Sequence, residues 1–298
     1  MTKKIIILAA ATICLFAACQ KSEGVFDPGK KLSKIYSETT ITYAGMEVTS
    51  GRYLSEEWNW DGDKVTRYVS YNTDGSIRYS YDFVYDGKNL TRLDANDGYY
   101  TEFIYDGKKL QEIRISYDGE LTSKAVVTKR DGKKITQMTA TSYEYIESYK
   151  RQMNTVLQML MPESAAEFIA TSLEKQVATK GGETTTSIDL TWTGDNITKI
   201  ALTEDDGVAE MVYSYDNKSN PRQGFHVDLR NTASMSVWGS ENNEIYDSIV
   251  ANYGEGQTYN LSNHYEYEYD GQWPVKRTST VAYETLTGTS TIEYEYKD

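Results

Sequence analysis

Short runs of strand-forming residues fill most of this chain, and turn residues separate the runs about every ten residues. Two runs are nearly the same: "FVYDGKNLTRL" from Phe83 to Leu93 and "FIYDGKKLQEI" from Phe103 to Ile113. In both, aromatic and β-branched residues precede Asp-Gly, which is a strong signal for a two-residue hairpin turn. Each run therefore predicts a strand, a tight turn and a second strand.

The same outline recurs along the chain. Seven segments carry it: "WDGDKVTRY" from Trp60, "YDGKNLTRL" from Tyr85, "YDGKKLQEI" from Tyr105, "RDGKKITQM" from Arg130, "WTGDNITKI" from Trp192, "YDNKSNPRQ" from Tyr215 and "YDGQWPVKR" from Tyr269. The repeat predicts a mainly β fold, an antiparallel meander of about 14 strands that must bury its edges or close on itself. Charged residues inside the strands do not supply the outer apolar band of a membrane-spanning barrel, so we expect a soluble open or closed barrel.

One spacing leaves two alternatives open. Aliphatic residues follow the turns in pairs three apart, as in Leu90 with Leu93 and Leu110 with Ile113. Strict alternation along a strand puts the two members of such a pair on opposite faces. Either both faces of the sheet are partly covered, or a β-bulge after each turn returns both residues to one face.

Two stretches depart from the repeat. From about residue 145 to 178, apolar residues recur at helical spacing, which predicts a helical insert in one or two pieces around Pro162. From about residue 225 to 263 there are strand-like pieces without a clear period. We expect residues 32–298, which include both stretches, to form a single β-repeat domain.

The first residues predict the cellular location of the protein. Lys3 and Lys4 precede an apolar stretch that is too short to span a membrane, so residues 1–18 predict a signal peptide. The ending "LFAAC" resembles the bacterial lipobox, which makes Cys19 the acylated N-terminus of the mature chain. An ordinary cleaved signal is the alternative. Residues 19–31 lack a pattern and predict a flexible tether.

Charge and cysteine content narrow the possible partners and chemistry. The chain of 298 residues has a formal charge of −13, which becomes −15 once Lys3 and Lys4 are removed with the signal. Such a charge repels nucleic acid and anionic membrane surfaces, so we expect no nucleic-acid partner and no contact with the membrane other than the lipid anchor. Cys14 lies within the predicted signal, so the mature chain keeps no thiol for catalysis or for a zinc site.

The lipobox, the YDGK units and the helical interruption together resemble a family of Bacteroidetes secreted lipoproteins of unknown function with a porin-like β fold. The run "YNTDGSIRYSY" from Tyr71 also resembles YD-repeat proteins, through shared hairpin chemistry. The resemblance implies a porin-like barrel and no catalytic residues. Gln20, rather than an Asp, follows the lipidated cysteine. By resemblance to lipoproteins of Gram-negative bacteria, this residue implies the outer membrane, and it does not indicate which leaflet holds the anchor.

Few residues carry recognisable chemistry. The chain has two histidines, His226 and His264, and no metal or phosphate-loop motif, so we expect no metal and no cofactor. Among 44 Asp and Glu, the sequence singles out no pair for acid–base catalysis.

Rows of aromatic residues are the best candidates for a binding site. Trp58 and Trp60 are two apart and share a strand face, as do Tyr265, Tyr267 and Tyr269. Aromatics with polar neighbours suit a glycan or a peptide; alternatively, they only stabilise the sheet as cross-strand pairs. The sequence thus predicts a lipid-anchored envelope protein that binds a glycan or a protein partner without catalysis. An assembly role and a carboxylate-based hydrolase are the alternatives.

Overall fold

A computed structural model of the chain describes residues 29–43, 46–143, 184–204, 207–222, 240–253, 257–283 and 286–297. These residues form strands and turns and contain no helix. The signal at 1–18, Cys19, most of the tether and the predicted helical insert at 145–178 lie outside the described residues. The strand bounds are β1 Leu32–Tyr43, β2 Met46–Thr49, β3 Tyr53–Asp61, β4 Lys64–Tyr71, β5 Ile77–Asp86, β6 Asn89–Ala95, β7 Tyr99–Asp106, β8 Lys109–Tyr117, β9 Glu120–Asp131, β10 Lys134–Ser142, β11 Thr184–Thr193, β12 Asn196–Glu204, β13 Gly207–Ser219, β14 Asn242–Tyr253, β15 Gln257–Asp270, β16 Trp273–Tyr283 and β17 Leu286–Tyr296.

The strands form one closed antiparallel barrel. From β3 onward each strand pairs with the next, and β17 pairs along its length with β1. The start of β1 pairs with β3 and its end pairs with β2, so β2 and β3 flank it as one interrupted strand. Counted in this way, the 17 segments make 16 strands. The mainly β meander is confirmed, and of the two alternatives the barrel is the closed one.

The prediction of about 14 strands was too low, because one copy of the hairpin motif is divided between the chain ends. "GKKLSKI" from Gly29 to Ile35 matches "GKKLQEI" from Gly107 to Ile113 at all but two positions. Its upstream half is "YEYK" from Tyr294 to Lys297, at the end of β17. The backbone nitrogen of Lys297 donates to the carbonyl of Lys31 at 2.8 Å. The termini therefore meet where a hairpin turn would otherwise stand, and the barrel consists of eight motif hairpins.

A β-bulge follows the turns and resolves the three-residue spacing. Tyr85 pairs with Leu90 while Val84 pairs with Arg92, so Thr91 is the extra residue of its hairpin. Gln111 has the same place in the next hairpin. Equivalent shifts follow the turns of β3–β4, β9–β10, β11–β12 and β15–β16. Both members of each aliphatic pair are thereby returned to one face, as in the buried Leu90 and Leu93.

Neighbouring hairpins are joined by the residue that precedes each turn. The Tyr105 hydroxyl donates to the carbonyl of Leu90 at 2.9 Å, and the Tyr85 hydroxyl donates to the carbonyl of Val65 at 2.9 Å. The same bond recurs around the barrel from Trp60 to Leu32, Trp192 to Ile135, Tyr215 to Ile197 and Tyr296 to Pro274. The carbonyl that accepts belongs in each case to the first inward residue after the preceding turn. This contact explains why a donor-bearing aromatic stands before the turns.

The two faces of the sheet differ sharply in composition. The enclosed face carries the buried aliphatic and aromatic cluster, with Val65, Met138 and Ile200 at 0% exposure. The outer face carries ion pairs along the strands, including Arg67 with Asp82 and Lys276 with Glu268. In the described part of the chain, no helix is long and apolar enough to cross a membrane.

A charged sector inside the barrel

Two adjacent hairpins break the rule that an aliphatic pair fills the barrel interior. Elsewhere the inward positions after the turn hold pairs such as Leu110 with Ile113 and Ile197 with Ile200. In β14 the corresponding residues are Glu244 and Asp247, opposite Tyr215 and Tyr213. In β16 they are Pro274 and Arg277, opposite Tyr269 and Tyr267. Polar groups thus occupy positions where every other complete hairpin places apolar or aromatic side chains. We call these residues, with Asn263 and Tyr265, the polar sector.

Asp247 is the best-bonded member of the polar sector. It is 1% exposed, and its Oδ1 accepts from Asn263 Nδ2 at 2.8 Å. Its Oδ2 accepts from the Tyr265 hydroxyl at 2.5 Å. Burial raises the pKa of Tyr265 well above its usual value, and the charge of Asp247 adds to the effect. The phenol therefore stays protonated and serves as a donor to the carboxylate.

Glu244 is a buried acid whose surroundings favour the neutral form. Burial raises the pKa of Glu244 well above its usual value, and the charge of Asp247 together with their mutual hydrogen bond raises it further. A protonated Glu244 has one hydroxyl to donate to Asp247. Its Oε1 has no hydrogen-bond partner among the described residues. Burying such an atom without a partner costs about 1–3 kcal/mol.

Arg277 brings a positive charge to the same sector. Its guanidinium lies 4.9 Å from the centre of the Tyr265 ring. Burial opposes the charged form of Arg277, but Tyr294, Tyr267 and Tyr265 outweigh it and raise the pKa of the guanidinium. Arg277 Nε and Asn263 Oδ1 are further buried atoms without a hydrogen-bond partner in the described part of the chain. The polar sector thus combines two unsatisfied acceptors with one unsatisfied donor.

An ion pair borders the sector across the closing seam of the barrel. Arg222, in the loop after β13, bonds to both carboxylate oxygens of Glu56 in β3, at 2.6 and 2.7 Å. Both side chains are less than one-fifth exposed, at 18% and 17%. Trp58 Nε1 also donates to Glu56 at 3.1 Å. Through this pair the loop after β13 is bonded to a strand on the other side of β1 and β17.

The five aromatic residues singled out by the sequence face the barrel interior. Trp58 is 3% exposed and packs edge-on against Tyr68, with ring centres 4.8 Å apart. Trp60 is bonded to Leu32 as described above. Tyr265 belongs to the polar sector, and the Tyr267 and Tyr269 rings stack beside it with centres 5.7 Å apart. The Tyr269 hydroxyl donates to Asp216 at the turn of β13. The tyrosine row, more than the tryptophan pair, therefore lies beside the unsatisfied polar atoms.

Four charged residues of the interior, namely Glu56, Arg222, Glu244 and Arg277, escaped the sequence interpretation as a site. The signal for Arg277 was present in the motif, because "PVKR" from Pro274 stands where "LTRL" and "LQEI" stand in the hairpins with aliphatic pairs. Glu244 lies far from its turn in the sequence, and only the register of β13 against β14 puts "EIYD" at the same place. Charged residues at positions that the repeat makes inward are the feature that marks a site.

The arrangement of the carboxyl groups in the sector differs from that of a glycoside hydrolase. Glu244 and Asp247 are hydrogen-bonded to each other, whereas the two carboxyl groups of a glycosidase stand about 5 to 9.5 Å apart. Among the described residues, no three His, Cys, Asp or Glu side chains are grouped so that they could hold a metal ion. His264 is exposed beside Tyr246 on the outer face.

No protein-family model matches the chain, and no curated protein matches it. Among solved structures, the chain is similar to a porin-like protein from Bacteroides vulgatus ATCC 8482, at 14% identity and a TM-score of 0.48, over 90% of this chain and 99% of that one. It is also similar to a porin-like protein from Bacteroides uniformis ATCC 8492, at 13% identity and a TM-score of 0.32, over 89% of this chain and 98% of that one. The 16-strand barrel supports the porin-like β fold expected from the sequence, and the lipoprotein assignment stays a prediction.

Proposed function

We propose that this chain is a lipid-anchored envelope protein whose barrel binds a small hydroxylated ligand, such as the end of a glycan, in the polar sector. One observation carries the proposal: two adjacent hairpins replace the inward pair with Glu244 and Asp247 and with Pro274 and Arg277. The signal sequence and Cys19 support the anchor and the envelope location.

Replacing the inward aliphatic pair by polar residues lowers the stability of the barrel. Each buried polar atom without a partner costs about 1–3 kcal/mol, and Glu244, Asn263 and Arg277 each carry one that has no partner among the described residues. The aliphatic alternative is available, because other hairpins of the same motif use it. A local departure from the rule of the fold is typical of a functional site.

The unsatisfied atoms indicate the class of ligand. Glu244 Oε1 and Asn263 Oδ1 require donors, and Arg277 Nε requires an acceptor. A hydroxyl group both donates and accepts, so neighbouring hydroxyls of one sugar ring satisfy both kinds of atom. The stacked rings of Tyr267 and Tyr269 offer an apolar face of the kind that packs against the C–H side of a sugar.

The test is the melting temperature of the mature chain against a panel of oligosaccharides and cell-wall fragments. A ligand at one hundred times its Kd stabilises the fold by about 2.7 kcal/mol, which raises the melting temperature by about 5–10 °C for a domain of this size. The variant Arg277→Met should lose the shift. Lys276→Met, one residue away but facing outward in its pair with Glu268, is the matched control and should keep it.

A flat panel with folded protein would contradict ligand binding in the barrel. The same holds if Arg277→Met keeps the full shift while folding normally, because the ligand would then bind elsewhere.

The anchor is tested separately: Cys19→Ala should abolish incorporation of labelled palmitate and release the protein from the membrane fraction. Retention of the label would contradict acylation at Cys19.

An assembly role is a second candidate, favoured by one exposed ribbon. Strand β2 pairs with β1 alone among the described strands, and its Met46 and Val48 are 66% and 67% exposed. A free strand edge with apolar side chains suits the addition of a partner strand. Met46→Ser with Val48→Ser should then remove a cross-linked partner in the native envelope. Unchanged cross-links would argue against this role.

A further inference from the structure

The two ends of the barrel differ in charge. The turn end consists of the described residues at the motif turns and the meeting termini, without the interior Arg222: residues 29–31, 61–64, 86–89, 106–109, 131–134, 193–196, 216–221, 240–241, 270–273 and 297. These residues include ten Lys and Arg against nine Asp and Glu, a net charge of +1. The far end consists of the described residues at the opposite connections: 46–52, 71–78, 94–99, 117–120, 143, 184, 204, 207, 253, 257, 283 and 286. It holds two Arg against seven Asp and Glu, a net charge of −5.

Lysines of the turn end form an ordered ring. Lys31 Nζ donates to the carbonyl of Gly62 at 2.8 Å, and Lys64 Nζ donates to that of Gly87 at 2.5 Å. Lys134 and Lys218 make the same bond to Gly194 and Gly271. Each of these lysines also lies over the aromatic ring of the hairpin that it reaches, at Trp60, Tyr85, Trp192 and Tyr269. The positive groups are therefore held at this end by the packing of the motif.

The chain from Cys19 arrives at the same end. Gly29 to Lys31 belong to the turn end, so nine residues, 20–28, separate the acylated cysteine from the barrel. Nine residues reach at most about 30 Å when fully extended and about 17 Å as a flexible coil. A nine-residue strand such as β8 already spans about 30 Å. The far end can therefore reach a leaflet that holds the anchor only when the tether is fully extended along the barrel, and a coiled tether keeps the turn end nearer.

We propose that the turn end of the barrel rests on the anionic headgroups of the leaflet that holds the anchor, with the far end directed away. The proposal rests on the Cys19 anchor of the proposed function. The net charge of −15 is spread over the whole chain, and charges farther from the leaflet than the screening length of about 8 Å at physiological salt contribute little to repulsion. Basic side chains near an anionic leaflet attract it locally, while the acidic far end is repelled.

The test uses the lipidated mature protein in vesicles and a fluorescent probe on a single introduced cysteine. Acylation blocks Cys19, so Lys108→Cys at the turn end and Asp74→Cys at the far end can be labelled one at a time. Headgroup spin labels should quench the probe at residue 108 several-fold more than at residue 74. The difference should grow when phosphatidylglycerol is added to phosphatidylethanolamine vesicles and shrink in 1 M salt, where screening falls to about 3 Å.

A charge variant distinguishes electrostatic attraction between the turn end and the headgroups from the effect of a short tether. Replacing the exposed Lys88, Lys108 and Lys133 by Glu, with the probe at Asn89→Cys, should remove the effect of phosphatidylglycerol. The single change Lys124→Glu, in strand β9 of the wall, is the control and should preserve that effect. Equal quenching at the two ends, in protein that floats with the vesicles, overturns the orientation alone. A free Cys19 thiol in protein that fails to float overturns the anchor itself.

Discussion

At the residue scale, the motif is explained by the bond that each pre-turn side chain makes to the preceding hairpin. The sequence predicted which residues share a face, because alternation within a strand fixes the face. It did not predict the bond from Tyr105 to Leu90, because the two residues belong to different hairpins and their contact depends on the stagger between them. It likewise gave no signal for the pairing of Arg222 with Glu56, which are 166 positions apart.

Tyr105→Phe should lower the free energy of unfolding by about 1 kcal/mol, because the carbonyl of Leu90 loses its donor in a partly buried position. Urea unfolding measures the change. Tyr117→Phe is the control, since this side chain is 40% exposed and its ring stacks on Tyr99. Equal losses in the two variants would argue against the inter-hairpin bond as a source of stability.

The raised pKa of Glu244 makes stability depend on pH with a definite sign. A carboxyl whose pKa is higher in the folded state binds its proton more tightly there, so its contribution is complete below the unfolded pKa and is lost as pH rises through the folded pKa. Glu244→Gln removes this loss. Relative to the native protein, the variant should gain stability progressively above about pH 4.5, the ordinary region for Glu, and show no such trend below it.

Urea unfolding at pH 4, 6 and 8 tests that sign. A native protein that gains stability relative to Glu244→Gln with rising pH would contradict the neutral state of Glu244. The matched control is Glu268→Gln, because the Glu268 side chain pairs with Lys276 in solvent on the outer face of the barrel. Relative to the native protein, the stability of that control should show little dependence on pH.

At the element scale, the hairpin was the most predictable unit, since turn chemistry acts locally. Asp-Gly predicted the tight turn in five of the seven motif segments, and Gly107 adopts a φ of 58° as such a turn requires. The sequence did not decide whether a β-bulge follows each turn or both faces of the sheet are covered. The spacing of Leu110 and Ile113 fits both alternatives until the pairing with the partner strand is known. The register of β7 against β8 decides it, by pairing Tyr105 with Leu110 and Ile104 with Glu112.

Gly107→Ala should destabilise the barrel by about 1–2 kcal/mol, because a Cβ is disfavoured at positive φ. The added methyl meets no atom within 4 Å, so backbone strain is the whole effect. Gly107→Asn should cost less, because Asn tolerates this conformation. Chemical denaturation of the two variants separates strain from steric conflict, and equal losses would point away from φ as the cause.

At the scale of the whole molecule, the eighth hairpin is divided between β17 and β1, and the termini replace its turn. The downstream half of this motif is visible in the sequence as "GKKLSKI". It is hard to recognise as part of a hairpin, because the two halves lie far apart in the sequence and no turn joins them. A circular permutant that omits Lys297 and joins Asp298 to Gly29 restores "YDGKKL" as an intact motif turn. Opened between Asp118 and Gly119, at an exposed far-end turn, it should fold and melt within a few degrees of the native mature chain.

Circular dichroism and thermal melting check the permutant. Failure to fold when opened at the 118–119 turn, together with normal folding of a permutant that uses a long flexible linker, would contradict the intact-turn geometry at the seam. The helical insert at 145–178 and Cys19 lie outside the described residues, and the roles given to them stay predictions.

The most direct measurement is a pair of melting curves for the native mature chain and Glu244→Leu, each with and without the best ligand of the panel. Leu restores the side chain that Leu90 and Leu110 supply at the same position of the motif. It removes a buried acid with an unsatisfied oxygen, so the free variant should melt higher than the native protein. The ligand should no longer raise its melting temperature. A variant that melts higher and still responds fully to the ligand would contradict the polar sector as the binding site.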